Sequence, residues 1–87
     1  MSEKRLLSDI AREIRGDWAN VGFAAKPYLF AMSQLDRIED RYIRESGEEI
    51  VIRFLCNASG WRGETARRVK VELQSMLNKA HEERTLR

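Results

Sequence analysis

The sequence predicts an all-α fold, a compact single-domain bundle of about four helices. Apolar residues recur at three- and four-residue spacing in four separate stretches, and cap-forming residues stand near their starts. One proline and five glycines in 87 residues leave those stretches largely uninterrupted. The boundaries read approximately 3–15, 27–36, 47–58 and 62–80.

In the first stretch Leu6, Leu7, Ile10, Ala11 and Ile14 form one apolar stripe, with Ser2 placed to accept an orphan amide as N-cap. Trp18 joins the stripe if the helix survives Gly16. Residues 19–26 show no helical cap and no alternation long enough for a strand. They carry Val21, Phe23, Ala24 and Ala25, too apolar for a solvated linker, so they are expected to fold against the core.

Pro27 suits a helix start, where its missing amide costs nothing. Tyr28, Ala31, Met32, Leu35, Ile38 and Tyr42 follow at helical spacing, and the charged run to Glu45 either extends this helix or forms a separate turn. Ser46-Gly47-Glu48-Glu49 has the form of a capping box: Ser46 accepts from the Glu49 amide while the Glu49 carboxylate reaches back. Val51, Phe54, Leu55 and Ala58, with Ile50 beside them, give the third helix its buried face, and Ser59-Gly60 is expected to end it with a left-handed glycine. Ala66, Val69, Leu73, Met76, Leu77 and Ala80 line the fourth helix, and the charged residues 81–87 are expected to fray.

A chain of this length buries only about 60–65% of the surface it exposes unfolded, so its core is thin. Hydrophobic residues at 43% and charged residues at 34% indicate a globular chain, not a disordered one. The lone Cys56 cannot form an internal disulfide, the amino terminus lacks the apolar run of a signal peptide, and no stretch approaches a membrane span. A cytoplasmic location without membrane contact is the expectation. Charge is unevenly spread: residues 36–49 hold three arginines against six carboxylates, and residues 53–87 hold eight cations against four carboxylates. A mixed solvated surface is the expected reading; these segments could also attract each other within the fold or between copies, or the basic end could meet an acidic partner or nucleic acid.

No residue pattern points to catalysis. His81 has no evident nucleophile beside it in the sequence, Cys56 reads as a small packed hydrophobe, and no cluster has metal-ligand spacing. Gly60-Trp61-Arg62-Gly63 is too short for a phosphate loop and lacks its lysine. Asp36, Glu39 and Asp40 read as a solvated face. No enzyme activity and no cofactor are expected.

Two binding readings remain. The third and fourth helices can be read as a helix-turn-helix, with Trp61, Arg62, Arg67, Arg68 and Lys70 as the candidate nucleic-acid or partner surface and Glu64 and Thr65 beside them. Any two amphipathic helices joined by a glycine turn give that signal. Alternatively, the seven aromatic residues are many for a thin core. Phe30 falls off the stripe of the second helix, and Val71 lies nearly opposite the core face of the fourth; both are features of protein interfaces.

Asp17-Trp18-Ala19-Asn20-Val21, Pro27-Tyr28-Leu29 with Ala31-Met32 and Leu35-Asp36, and Phe54-Leu55-Cys56-Asn57-Ala58-Ser59-Gly60-Trp61-Arg62-Gly63-Glu64 with residues 66–73 carry a resemblance. Over about residues 6–77 the chain resembles a family of small uncharacterised bacterial and phage-type helical proteins. That resemblance implies a small intact domain and transfers no activity or site residue. The leading expectation is a non-enzymatic protein-binding module, engaging a protein partner or a second copy of itself as a homo-oligomer; DNA binding is the alternative, and a small enzyme using Cys56 the third. The junction at Trp61 itself has two readings. If Arg62 folds inward onto the end of the third helix, it is a structural corner, the favoured reading; if Arg62 points outward with Arg67 and Lys70, it is a binding surface.

Overall fold

The computed structural model describes residues 5–85. Four α-helices, α1 (Leu7–Asp17), α2 (Lys26–Ser33), α3 (Gly47–Cys56) and α4 (Glu64–Thr85), form the body, with a two-strand hairpin, β1 (Arg41–Tyr42) and β2 (Glu45–Ser46), between α2 and α3. The mostly helical class is as predicted. Each helix packs on its neighbour in sequence, and α4 closes back onto α1. One continuous core results, from Leu7, Ile10 and Ile14 of α1 through Met32, Val51 and Phe54 to Val69 and Leu73 of α4.

Helix α1 begins at Leu7 without a side-chain cap. Its first amides are satisfied from elsewhere in the chain: Leu7 N–H donates to the Asp36 carbonyl and Ser8 N–H to the Leu35 carbonyl, both at 2.9 Å. This exchange ties the start of α1 to the chain leaving α2 and meets the orphan donors of a helix N-terminus. The expected cap, Ser2, lies outside the described residues. Gly16 does not stop the helix, which runs on to Asp17.

The connector 19–26 corrects its expectation in part. Ala25 is buried and Val21 packs at the core edge, but Phe23 is 89% exposed and Ala24 also faces solvent. A 3-10 turn over Phe23–Ala25 runs directly into α2 and points those two side chains outward. Inward positions on this segment are Ala25, Leu29 and Met32, a four-then-three spacing, so α2 is rotated relative to the stripe read through Tyr28.

Helix α2 does not continue to 36, nor through 37–45. After Ser33 the backbone tightens, with Gln34 N–H bonded to the carbonyls of Ala31 and Met32. Asp40 then fixes a turn: its carboxylate accepts from the amides of Asp36 (3.1 Å) and Arg37 (2.9 Å), and its carbonyl accepts from Gly47 N–H at 2.7 Å. A side chain that captures backbone amides in this way competes with helix. Leu35 and Ile38 are nonetheless buried, as their spacing indicated, because the turn folds back onto the core.

Helix α3 carries the predicted capping box, Ser46 Oγ accepting from Glu49 N–H (3.2 Å) and Glu49 Oε1 from Ser46 N–H (3.3 Å). It ends at Cys56, two residues early, where Asn57 Nδ2 takes the Arg53 carbonyl at 2.8 Å. Cys56 faces solvent, contrary to its reading as a packed hydrophobe; Ile50, Val51 and Phe54 fill the buried face instead. The left-handed glycine is Gly63 (φ +111°), not Gly60, so the chain reverses at the start of α4 and not at the end of α3. Helix α4 buries Ala66, Val69, Leu73, Leu77 and Ala80, with Met76 partly covered. It continues as helix through Thr85, past the expected fraying point, and the last two residues lie outside the described range.

Candidate functional site

The junction between α3 and α4 is a buried corner. Trp61 is 2% exposed. Its ring stacks on Trp18 (centroids 5.9 Å, planes 10° apart), and both rings meet Phe54 edge to face at 6.4 and 6.3 Å. Its indole N–H donates to Asp17 Oδ2 at 2.8 Å, so the last residue of α1 holds the loop before α4. Burying a tryptophan requires a partner for that donor, and Asp17 supplies it.

The cation that locks the corner is Lys70, not Arg62. Lys70 Nζ donates to the carbonyls of Ala58 (2.8 Å) and Trp61 (2.7 Å) and lies 5.8 Å from the Trp61 ring centroid. Lys70 sits almost two turns into α4, far enough along for its long stem to reach back over the loop. Burial, together with the nearby Arg62 guanidinium, pushes the Lys70 ammonium below the usual lysine range. Arg62 itself is exposed. Neither expected arrangement holds as stated: Arg62 does not fold inward, Lys70 does not point outward with Arg62 and Arg67, and it is Lys70 that bonds the carbonyls of the corner.

The five residues singled out at this junction thus separate. Trp61 is core, Lys70 is held by backbone carbonyls, and Arg68 pairs with Glu13 of α1. Arg62 and Arg67 remain exposed. Glu13 also faces Arg5 (2.8 Å), and Arg5 makes a two-pronged bond to Glu72 of α4 (2.7 and 3.0 Å). This network clasps α1 to α4. The Arg68 bond first, and then Arg5, hold the Glu13 carboxyl below its ordinary range against the opposing effect of burial.

Concave surfaces among the described residues include two grooves. One groove, of about 410 Å³, runs between α3 and α4 and is lined by Glu48, Ile52, Leu55, Cys56, Gln74, Leu77, Asn78 and His81. It brings the thiol and the imidazole to one surface, which sequence distance concealed. The register could have revealed it, because Ile52 and Cys56 are one turn apart, as are Leu77 and His81. No group of three or more His, Cys, Asp or Glu side chains able to hold a metal occurs among the described residues.

The second groove, of about 440 Å³, lies between the end of α1 and α2. Trp18, Val21, Leu29 and Phe30 make it apolar, and Arg15 and Lys26 stand among them. Phe30 is half exposed and meets Tyr42 of β1 edge to face at 6.5 Å; Ile43, at the hairpin tip, is 82% exposed. Phe23 and Phe30 are seven residues apart along the 3-10 turn and α2, close to two helical turns, which sets them on neighbouring parts of one face. Of these, only Phe30 stood out in the sequence; Phe23 was expected in the core.

Comparison of the chain with protein-family models, curated proteins and solved structures gives no match. No helix among the described residues is long and apolar enough to cross a membrane.

Proposed function

We propose that this chain is a non-enzymatic protein-binding module acting in the cytoplasm through the face formed by Phe23, Phe30, Tyr42 and Ile43 beside the α1–α2 groove. The observation that carries the reading is Phe23, a large aromatic at 89% exposure in the segment between Val21 and Lys26, two residues that line the apolar groove. Exposed aromatic side chains that border a concave apolar surface are the usual anchors of protein interfaces. A thin core has few such side chains to spare for solvent.

The test is a photo-crosslinking residue placed at position 23, with Phe23→Ser/Phe30→Ser as the control protein. Phe23 is almost fully exposed, so its change should alter stability by less than about 0.5 kcal/mol, whereas Phe30 is half buried and loses its contact with Tyr42, so its change should cost about 1–2 kcal/mol and leave the domain folded. The reading expects a discrete crosslinked protein from the native host that the wild type competes away and the double variant does not. Equal competition by both proteins would refute it. Sedimentation at micromolar concentration shows whether the partner is a second copy.

The second reading, DNA binding, is favoured by one observation: Arg62 and Arg67 are exposed where α4 begins. It requires a mobility shift with duplex DNA that weakens steeply with salt and is reduced in Arg62→Ala/Arg67→Ala. No shift at low ionic strength would end it.

A further inference from the structure

We infer that the α1–α2 groove takes an acidic amphipathic helix, a partner segment with apolar residues about two turns apart and Asp or Glu beside them. The inference rests on the protein-binding reading above and specifies the chemistry of its partner.

Charge is the first argument. Several cations among the described residues are already engaged: Arg5 by Glu72 and Glu13, Arg12 by Asp9, Arg53 by Glu45, Arg68 by Glu13, and Lys70 by two carbonyls. The side chains of Arg15 and Lys26, which line the groove, have no hydrogen-bond or ion-pair partner among the described residues. No carboxylate lines the groove. Two unneutralised cations over an apolar floor repel a basic segment and attract an acidic one. The α3–α4 groove differs: it is lined by Glu48, His81 and two amides and by no lysine or arginine.

Spacing is the second argument. Seven residues of helix span about 10 Å, so Phe30, which lines the groove, and Phe23, in the 3-10 turn before α2, are two exposed aromatics roughly that far apart. A helix lying beside α2 repeats its own apolar anchors over the same distance, at i, i+3 or i+4, and i+7. Its flanking carboxylates then fall beside Lys26 and Arg15. The floor is already packed, since Leu29 is 2% exposed, so the ligand inserts side chains between the exposed aromatics without opening the core.

The experiment is selection of a random 16-residue peptide library on the whole protein, with the best peptides then titrated by tryptophan emission. Trp18 lines the groove and Trp61 stacks on it, so both tryptophans of the chain report on this site. The inference expects enriched peptides with two or more carboxylates among apolar residues at helical spacing. Their affinity should fall about three- to tenfold in Lys26→Glu and again in Arg15→Glu, with loss in Phe23→Ser/Phe30→Ser. Enrichment of neutral or basic peptides that still need Phe23 and Phe30 overturns the acidic partner and leaves the protein-binding reading standing. Enriched peptides indifferent to Phe23 and Phe30, or no enrichment, count against both. Binding to phosphatidylglycerol vesicles that competes with the peptides overturns the inference in favour of a lipid surface. Dimerisation that the peptides cannot displace overturns it in favour of a second copy.

Discussion

Replacing Lys70 by methionine isolates the contact that makes the α3–α4 corner. Methionine keeps most of the stem that packs over the loop and removes only the ammonium. Two carbonyls lose a donor, but not equally: the Ala58 carbonyl keeps the Trp61 amide at 3.0 Å, so the loss falls mainly on the Trp61 carbonyl. A hydrogen bond to a charged group contributes about 1.5–3 kcal/mol, and the contact with the Trp61 ring about 0.5–1. Against this stands the cost of holding the ammonium partly out of water, which the lowered Lys70 pKa records. The balance is a loss of about 2 kcal/mol. A domain of this size holds about 4–13 kcal/mol in all, and each kcal/mol moves Tm by about 4–8 °C, so Tm should fall by about 8–16 °C. Arg62→Met should change stability by less than about 0.5 kcal/mol. Urea and thermal unfolding, followed by circular dichroism, measure both. The pH dependence has a fixed sign. Because the Lys70 pKa is lower in the folded chain, the unfolded chain binds more protons between that value and the ordinary 10.5, and stability rises with pH across that window. The neutral amine keeps two N–H groups for its two carbonyls, and Lys70→Met removes the rise. A Lys70→Met protein as stable as the wild type, or a larger loss in Arg62→Met, would refute this account of the corner.

Gly47→Ala should cost about 1–3 kcal/mol in urea unfolding, because an added Cβ would sit 2.6 Å from the Ile38 carbonyl oxygen and 3.0 Å from that of Arg37, both backbone atoms that cannot swing aside. Gly63→Ala should destabilise and Gly60→Ala should be neutral or stabilising by up to about 1 kcal/mol, since only Gly63 has a left-handed φ and neither added Cβ meets an atom within 4 Å; the reverse order of midpoints would place the chain reversal at the wrong residue. Glu13→Gln should cost below about 1 kcal/mol near neutral pH, since the carboxylate is partly exposed. With the folded Glu13 pKa depressed, that contribution is present above the ordinary 4.5 and lost as pH falls through the folded value, so the wild-type and variant stability curves should converge in acid.

The helical class, α4 with its core face, and the capping box of α3 were legible because each is a local pattern. What failed required knowledge of where distant segments meet. Asp40 reads as one more carboxylate in a charged run until its side chain is seen holding the amides of Asp36 and Arg37. The start of α1 depends on carbonyls 27 and 29 residues away, supplied by Leu35 to Ser8 and by Asp36 to Leu7. At the junction the sequence offered Arg62, the nearest cation, for the role that Lys70 plays; a helix that folds back lets a side chain nine residues from Trp61 reach further than one beside it. The candidate binding face was hidden for a related reason. Phe23 is apolar and was assigned to the core, but the turn that joins Gly22 to α2 points it outward while placing Ala25 inside.

Ile43 carries a cost in the isolated chain that a partner could offset. It occupies the first turn position of the β1–β2 hairpin at φ +58°, and among the described non-glycine residues it alone is left-handed. A β-branched side chain there is strained by about 1–2 kcal/mol, and glycine or asparagine adopts that conformation readily. Ile43 is also 82% exposed, so its side chain recovers nothing by burial. Both costs fall on one residue, adjacent to the Tyr42 ring that meets Phe30. Ile43→Asn should therefore raise the urea midpoint by an amount equivalent to about 1 kcal/mol, and Ile43→Gly by somewhat less, because glycine gives the unfolded chain more freedom. If Ile43 belongs to the binding face, both variants should bind selected peptides more weakly while folding more stably. A stability–affinity trade-off of that kind separates a binding residue from an ordinary turn residue. A lower midpoint in Ile43→Asn would show that the hairpin needs isoleucine for its own stability, and the argument from strain would fail.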